Sequence, residues 1–258
     1  MAESTRAVER ALDILLCFSR DEPVLTLTQI VERVELHKST VYRLLATLES
    51  KRFVQREASN GAYRLGTRLI ELGFSALKRT NISEHATPHM YRLSAEHRET
   101  VDLAILEGSD VVYLQVIESP QRVKIAAAPG EHLPAFCTAT GKAFLAFLSD
   151  EEVKRILGHS VRKYTEHTKL SRVALREDLR TTRERGFAIS VEEYEDGISA
   201  IAAPILDAGG RPLAAIAIVG PAFRLSRERM TELGKSVKAT ADAVAQEIGS
   251  ATQFSAQK

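Results

Sequence analysis

The sequence predicts an α+β fold, with a small winged helix-turn-helix domain, a linker helix and a larger α/β domain. Residues 25–65 follow the order helix, tight turn, helix and short hairpin, which is the element order of a winged helix. After residue 99, short apolar runs separated by turn residues indicate antiparallel hairpins. Helical periodicity accompanies these strands, and hairpins with helices on one side are typical of the α+β class.

The chain divides into four segments on these patterns. Pro88 and the Thr80-Asn81 step predict a break or kink within the second segment. The segments are a winged helix-turn-helix domain at 1–66, a helical linker at 67–98, an effector-type α/β domain at 99–250 and a flexible tail at 251–258.

Composition is that of a soluble globular protein, since 44% of the 258 residues are hydrophobic and 27% are charged. No run of roughly eighteen apolar residues occurs, so no membrane span is predicted. The N-terminal segment mixes charges into its apolar pattern, which predicts an amphipathic helix at 5–19 rather than a signal peptide. We therefore expect a cytoplasmic protein in which Cys17 and Cys137 are free thiols rather than a disulfide.

The second helix of the winged domain has one apolar and one polar face. Apolar side chains recur at i, i+3, i+4 and i+7, namely Val41, Leu44, Leu45 and Leu48. The opposite face is small, hydroxylated and basic, with Ser39, Tyr42, Arg43 and Ala46. A face of this kind can approach a phosphate backbone closely, and it carries no acidic side chain before Glu49.

Caps and turns agree with a winged helix. Thr26 or Thr28 can cap the first helix of the pair, and Ser39 or Thr40 can cap the second. Strands at 53–55 and 62–65 are expected to form the hairpin, because an Asn-Gly step lies between them.

Basic charge is concentrated in this region of a chain whose net charge is +1. Between residues 36 and 68 only Glu49 and Glu57 oppose seven cations, which are Lys38, Arg43, Lys51, Arg52, Arg56, Arg64 and Arg68. The cluster favours DNA binding. Two alternatives stay open at this point, because winged helices also dock proteins and exposed cations are often only solvated.

Six strands and four helices are predicted in the larger domain. Strands are expected at 101–107, 111–117, 123–127, 187–191, 198–206 and 213–219. Helices are expected at 140–148, 150–157, 174–185 and 227–248.

No specific catalytic motif occurs in this domain. Gly141-Lys142 resembles the end of a phosphate-binding loop, but Phe136 and Ala143 stand where that loop needs Gly and Ser or Thr. His85 and His89 have a chelating spacing, yet Pro88 lies between them and the sequence offers no third ligand nearby. We predict no catalytic residue, no metal and no cofactor.

The segment 134–146 is a turn of small and hydroxyl-bearing residues that opens a helix. Free backbone N–H groups and the helix dipole at such a turn favour an anion, for example a ligand carboxylate. Alternatively, Thr138 or Thr140 only caps the helix, and the small residues permit close packing. The two interpretations are compatible.

Taken together, the motifs resemble those of the IclR (isocitrate lyase regulator) family of transcriptional regulators. They are HKSTVYRLLATLESKRFV and YRLG in the first domain, and PAFCTATGKAFLA, RERGFAISVEEYEDGISAIAAPI and PLAAIAIVGP in the second. The resemblance implies a winged-helix domain, a linker helix and a GAF-like effector domain. It further implies homodimers that often pair into homotetramers on double-stranded operator DNA, and a small-molecule effector.

The resemblance also assigns site residues. DNA contacts would come from Lys38, Ser39, Thr40, Tyr42 and Arg43 of the recognition helix and from Arg64 of the wing. The turn and the resemblance together place the effector among Thr138, Ala139, Thr140, Gly141, Ser190, Ala200, Ala217 and Val219. Relatives that bind small oxo-acids tend to carry serines on the last strand. Alanine and valine there favour a larger, partly apolar carboxylate such as an aromatic acid.

The sequence thus predicts a ligand-responsive regulator of a catabolic operon, with no membrane partner and no enzymatic activity. One alternative is a small-metabolite enzyme with a winged-helix docking module, which lacks an acid–base pair. Another is a protein–protein adaptor, which the basic recognition face disfavours.

Overall fold

Two units, Met1–Thr80 and Asn81–Lys258, make up the computed structural model, which describes residues 5–19, 21–77, 82–158 and 161–255. Each unit combines helices with an antiparallel sheet, so the predicted α+β class is confirmed. The two cysteines are free, as expected.

The first unit is a helical module with a three-stranded wing. Its elements are α1 (Arg6–Leu16), β1 (Val24–Leu25), α2 (Leu27–Val34), α3 (Lys38–Ser50), β2 (Val54–Arg56), β3 (Tyr63–Leu65) and α4 (Thr67–Leu77). The strand order is β1-β3-β2, and the two-residue strand β1 was not predicted. Periodic apolar residues of α1, α2 and α3 meet in one core with Leu25, Val54 and Tyr63 of the wing.

Local chemistry explains the tight junction between α2 and α3. Thr26 caps α2 by accepting a hydrogen bond from the Gln29 backbone, and the Gln29 side chain accepts one from the Thr26 backbone. Glu35 then adopts a left-handed conformation at φ 51° and ends α2. The predicted cap of α3 by Ser39 or Thr40 is wrong, because α3 begins at Lys38 and its N-cap position holds no side-chain bond.

The second unit is built on a six-stranded antiparallel sheet in the order β6-β5-β4-β9-β8-β7. Its strands are β4 (Thr100–Glu107), β5 (Asp110–Ile117), β6 (His132–Pro134), β7 (Ala188–Val191), β8 (Ile198–Leu206) and β9 (Pro212–Pro221). Its helices are α5 (Ile82–His97), α6 (Ala139–Leu145), α7 (Asp150–Leu157), α8 (Arg172–Arg185) and α9 (Arg227–Ser255).

Helices cover both faces of this sheet, so the expectation of helices on one side is wrong. Large residues such as Leu103, Ile201 and Ile216 point towards α5 and α9. Alanines, including Ala202 and Ala215, point towards α6 and α8 and permit their close approach. Because successive strand residues are buried on alternate faces, the sequence lacks the polar alternation that marks a half-exposed sheet.

In the second unit, one predicted strand is absent and one observed strand was missed. Residues 123–127 pair with no strand, although they are apolar enough to have been assigned one. One edge of the sheet is instead β6, whose three residues pair with β5 from Asp110↔Pro134 to Val112↔His132. Three residues that end in proline give no periodic signal, so tertiary pairing decides this strand.

The predicted linker corresponds to α4 and α5. Pro88 lies inside α5 without ending it, and α5 buries Ile82, Met90 and Leu93 in the core of the second unit. The Thr80-Asn81 step lies outside the described residues. α9 continues to Ser255, so part of the predicted tail 251–258 is helical.

Candidate functional site

α3 directs its polar face to solvent. Val41 and Leu45 are fully buried and fix the helix on the core. On the opposite side Ser39, Tyr42 and Arg43 are exposed, with 51% of the Tyr42 surface accessible. The amphipathic pattern therefore orients these three side chains as the sequence predicts.

The other predicted DNA-contacting residues lie beside this face or on the wing. Lys38 is exposed at the start of α3, and Thr40 is half-buried in the same turn. Arg64 is exposed on β3 and donates a hydrogen bond of 2.9 Å to Gln55 Oε1 on β2. This bond holds the guanidinium along the wing rather than in an ion pair.

Several other cations of the first unit already have partners. Arg33 donates to the Cys17 carbonyl (2.8 Å) and pairs with Glu22 (2.7 Å), so it joins α2 to the end of α1. Arg68 and Arg52 lie 2.6 and 4.0 Å from the carboxylate of Glu71. In contrast, the structure gives Lys38 and Arg43 no ion-pair partner within the described residues. Uncompensated charge thus lies on α3, and Lys51 after it and Arg56 and Arg64 of the wing likewise have no ion pair within the described residues.

A cavity of about 80 Å³ lies in the second unit between the sheet and the turn that leads into α6. Six of the eight predicted effector residues line it, and these are Thr138, Ala139, Thr140, Ser190, Ala200 and Val219. Strands β7, β8 and β9 bring the last three together from positions far apart in sequence.

The other two predicted residues do not line the cavity. A Cβ at Gly141 would lie 2.1 Å from the Ala135 carbonyl oxygen, so this glycine allows α6 to contact the preceding turn. Ala217 is fully buried in β9, between Asp102 of β4 and Ala202 of β8. Both residues therefore affect the cavity through the packing of the residues that line it.

Two hydroxyls of the cavity are engaged within the protein. Thr138 Oγ1 accepts from the Gly141 backbone (3.2 Å) and donates to the Pro134 carbonyl (2.9 Å). Ser190 Oγ donates to the Cys137 carbonyl at 3.0 Å. The capping role that the sequence left open for Thr138 is therefore present. The backbone N–H groups of Ala139 and Thr140 have no acceptor within α6, because they belong to its first turn.

An aromatic wall, which the sequence analysis did not identify, completes the cavity. Tyr113 and Tyr194 line it together with Glu131 and Glu195. The ring of Tyr194 lies 5.0 Å from that of Tyr164, outside the lining. The acidic and aromatic run 192–196 was the available signal, but only tertiary structure brings it to the cavity.

A buried ion cluster anchors this wall. Lys142 is fully buried, and its Nζ donates to Asp178 (2.7 Å), to Glu193 (2.6 Å) and to the Ile189 carbonyl (2.5 Å). Burial lowers the pKa of Lys142, and the two carboxylates oppose that shift. The cluster ties α6 to α8 and to the segment that carries Tyr194, which gives Gly141-Lys142 a structural role instead of a phosphate-binding one.

A larger groove, the α7–α8 groove, occupies about 380 Å³ between α7 and α8. Leucines such as Leu157, Leu175 and Leu179 form its walls, and Arg172 and Arg176 stand at its rim. None of the predicted effector residues lines it, so it is distinct from the cavity beside α6.

His85 and His89 both approach Glu247 of α9, at 3.7 and 2.8 Å. Even so, no group of three or more His, Cys, Asp or Glu side chains in the described residues is arranged to hold a metal ion. Among the helices of the described residues, none is long and apolar enough to cross a membrane.

Comparison with protein families gives two matches along the chain. Residues 7–58 match the model of the IclR helix-turn-helix domain, and residues 74–246 match that of the bacterial transcriptional regulator IclR C-terminal domain. The first range contains α3, and the second contains every residue of the cavity beside α6.

Similar proteins span nearly the whole chain. The transcriptional repressor IclR of Escherichia coli is 33% identical over 90% of this chain and 86% of its own length. A putative transcriptional regulator from Rhodococcus superposes with a TM-score of 0.84 at 30% identity, covering 96% of this chain and 100% of its own. An IclR homolog from Microbacterium hydrocarbonoxydans, complexed with 4-hydroxybenzoate, has the same TM-score at 25% identity, covering 94% and 98%.

Proposed function

Because the chain belongs to the IclR family of bacterial transcriptional regulators, we propose that it controls a catabolic operon in response to a small carboxylate. Operator DNA binds the first unit, and the carboxylate binds the second. The family consists of transcriptional regulators, so the enzyme alternative is set aside. The protein acts in the cytoplasm, where its DNA and its metabolite meet.

The exposed, uncompensated face of α3 is the observation that carries the DNA-binding assignment. In this proposal α3 enters the major groove, where Tyr42 and Arg43 reach base edges. Lys38, Ser39 and Thr40 contact phosphates near the start of the helix, and Arg64 adds a backbone contact from the wing.

The effector is a partly apolar carboxylate, with aromatic acids as the leading class. Ala200 and Val219 form an apolar part of the cavity wall. Each Å² of apolar ligand surface that they bury contributes about 25 cal/mol to the binding free energy. Backbone N–H groups of Ala139 and Thr140 offer donors to the carboxylate. A neighbour of the same fold is complexed with 4-hydroxybenzoate, which has this chemistry.

Homodimers, or dimers of dimers, are the proposed assembly. Leu12 and Leu16 of α1 and Ile70 of α4 expose 52%, 80% and 60% of their surfaces. Exposed apolar side chains on two helices of one unit favour burial against a second copy. Two-fold symmetry would then be matched by a palindromic operator.

The proposal is tested with DNA from upstream of the operon beside its own gene. Fluorescence anisotropy should show DNA binding, and the logarithm of the association constant should fall linearly with the logarithm of the salt concentration. A panel of glyoxylate, pyruvate, benzoate and 4-hydroxybenzoate should include a member that changes this binding. DNA affinity independent of salt, or no response to any carboxylate, would contradict the respective half of the proposal.

A further inference from the structure

Asp102 is a fully buried carboxyl group on β4, on the sheet face that α6 covers. Thr140 Oγ1 donates to its Oδ1 at 3.5 Å, which is a long hydrogen bond. Its Oδ2 is buried and has no hydrogen-bond partner within the described residues. A buried polar atom without a partner costs about 1–3 kcal/mol, so the position calls for a function.

Within the part of the chain that the structure describes, the groups that face Asp102 offer no free positive charge. Tyr113 approaches from β5, and from α6 the neighbouring cation Lys142 is committed to the carboxylates of Asp178 and Glu193. On the paired strand β9 the residue opposite Asp102 is Ala217, and on the next strand β8 the residue opposite Ala217 is Ala202. Burial raises the pKa of Asp102 to about 8, opposed only by the Thr140 hydrogen bond. At neutral pH the group is therefore mainly a carboxylic acid, in which Oδ1 accepts from Thr140 and Oδ2 carries the proton.

This acid lies directly behind the wall of the cavity beside α6. Thr140, its hydrogen-bond partner, lines that cavity. Tyr113 also lines it, and burial together with the nearby Asp102 raises the pKa of the Tyr113 phenol. Asp102 is thus one side chain away from the place proposed for the effector.

The cavity already offers the effector the backbone N–H groups of Ala139 and Thr140 and the phenols of Tyr113 and Tyr194 as donors, but several of its aliphatic hydroxyls are engaged elsewhere. The hydroxyl of Thr138 donates its hydrogen bond to the Pro134 carbonyl, and the hydroxyl of Ser190 donates to the Cys137 carbonyl. The β9 positions at Ala217 and Val219 carry no hydroxyl. An Oδ2–H group at Asp102 would supply what these residues cannot.

We infer that Asp102 is a specificity-determining residue, which donates a hydrogen bond from protonated Oδ2 to the carboxylate of the bound effector. The inference rests on the proposed function, because it assumes a carboxylate effector in this cavity. A hydrogen bond between a carboxylic acid and a carboxylate is charge-assisted and short. It also selects for anionic acids over their esters, which lack the negative charge.

The cavity of about 80 Å³ is smaller than the roughly 300–1,000 Å³ of typical ligand sites, so an aromatic acid must displace part of its wall. Movement of Thr140 or Tyr113 would both enlarge the space and uncover Oδ2. An effector that binds this enlarged state better shifts the population towards it.

The test is calorimetric titration of the full chain with the tightest-binding member of the panel glyoxylate, pyruvate, benzoate and 4-hydroxybenzoate. Affinity of the wild type should be constant from pH 6 to 7.5 and fall towards tenfold per unit above pH 8. Asp102→Asn keeps an acceptor for Thr140 and an N–H donor, so it should bind within about threefold of wild type, without the fall above pH 8. Asp102→Leu should bind at least tenfold more weakly. Operator binding without effector serves as the folding control for both variants.

A readout without ligand supports the same test. The infrared spectrum at pH 7 should contain a carbonyl band of a protonated carboxyl group that is lost in Asp102→Asn. The inference is overturned if this band is absent from the wild type, if affinity does not change with pH, or if Asp102→Asn weakens binding as much as Asp102→Leu. The last result would mean that an ionised Asp102 accepts from a ligand donor. If the wild type binds no member of the panel, the proposed effector class fails instead, and this inference fails with it.

Discussion

At the residue scale, partners distinguish basic side chains that can contact DNA from those that hold the fold together. Arg33 and Arg43 are ten positions apart in sequence and both belong to the helix pair. The guanidinium of Arg33 pairs with Glu22 and donates a hydrogen bond to the Cys17 carbonyl. Arg43 is exposed on the face of α3 opposite Val41, and its charge is uncompensated within the described residues.

Arg43→Ala should therefore reduce operator affinity without affecting the fold. Loss of one base or phosphate contact costs about 1–3 kcal/mol, which corresponds to a loss of roughly 5- to 150-fold. Arg176→Ala is a matched control, because Arg176 is an exposed arginine of α8 in the other unit. Gel-shift titrations at fixed salt measure both variants, and equal affinities for the two would refute the role of Arg43.

The buried carboxyl group of Asp102 also predicts how the free energy of unfolding depends on pH. Its pKa is near 3.8 in an unfolded chain and about 8 in the folded one, so between these values the folded state binds more protons. Stability should consequently fall as pH rises from about 4 to 8. Asp102→Asn removes this dependence and should stabilise the second unit by a few kcal/mol more at pH 8 than at pH 5, since one pKa unit is about 1.4 kcal/mol. Urea unfolding measures the free energy of unfolding of both proteins at pH 5 and pH 8. If the difference between Asp102→Asn and the wild type were the same at both pH values, Asp102 would not be a neutral acid.

At the element scale, the close seating of α6 positions the cavity. Gly141 touches the backbone of Ala135, and no larger residue fits there. Thr138 then caps the helix, and Lys142 locks it to α8. The Gly-Lys pair that resembles a phosphate-binding loop is thus explained by packing and by a buried ion cluster.

Gly141→Ala should destabilise the protein by about 1–3 kcal/mol or more, because its Cβ overlaps the Ala135 backbone. Gly73→Ala is the control, since a Cβ at this position of α4 meets no atom within 4 Å. It should be neutral or stabilising by about 0.5–1 kcal/mol. Thermal unfolding compares the two variants, and similar melting temperatures would contradict the close seating of α6.

Lys142→Met should cost about 3–5 kcal/mol, because it removes the fully buried cation of the cluster and leaves Glu193 and Asp178 to the partly exposed Lys169. Lys163→Met removes an exposed pair with Glu166 and should change stability by less than about 1 kcal/mol. Denaturant titration of both variants at pH 7 tests the cluster. Equal losses would show that the cluster contributes no more than a surface pair.

Elements with a strong periodic or turn signal could be predicted from sequence, and those fixed by tertiary pairing could not. The faces of α3, the hairpin turn at 207–210 and the long strands β8 and β9 follow from local pattern. The three-residue strand β6 and the unpaired run 123–127 do not, because a partner strand decides them. The cavity was predicted in part, since Ser190, Ala200 and Val219 were named. Tyr113 and Tyr194 in its lining and Asp102 behind it were missed, because only the tertiary arrangement of the strands and of the loop between β7 and β8 brings them to this place.

At the scale of the whole molecule, the two functions lie in separate units. The first unit carries an uncompensated basic face, and the second carries a cavity with apolar and aromatic walls. An effector can alter DNA binding only if it binds one state of the protein more tightly than another. The response to the effector therefore depends on coupling between the two units rather than on either site alone.

Operator binding with and without effector, compared between wild type and Ala200→Phe, tests that claim most directly. Ala200 lines the cavity, so a phenyl ring there should occupy the space that the ligand needs. We expect the most active carboxylate of the panel to change the operator affinity of the wild type by at least tenfold, as measured by fluorescence anisotropy. Ala200→Phe should bind the operator as tightly as the wild type and not respond to the carboxylate. An unchanged response in Ala200→Phe would contradict the account and place the effector elsewhere, with the α7–α8 groove as the next site to examine.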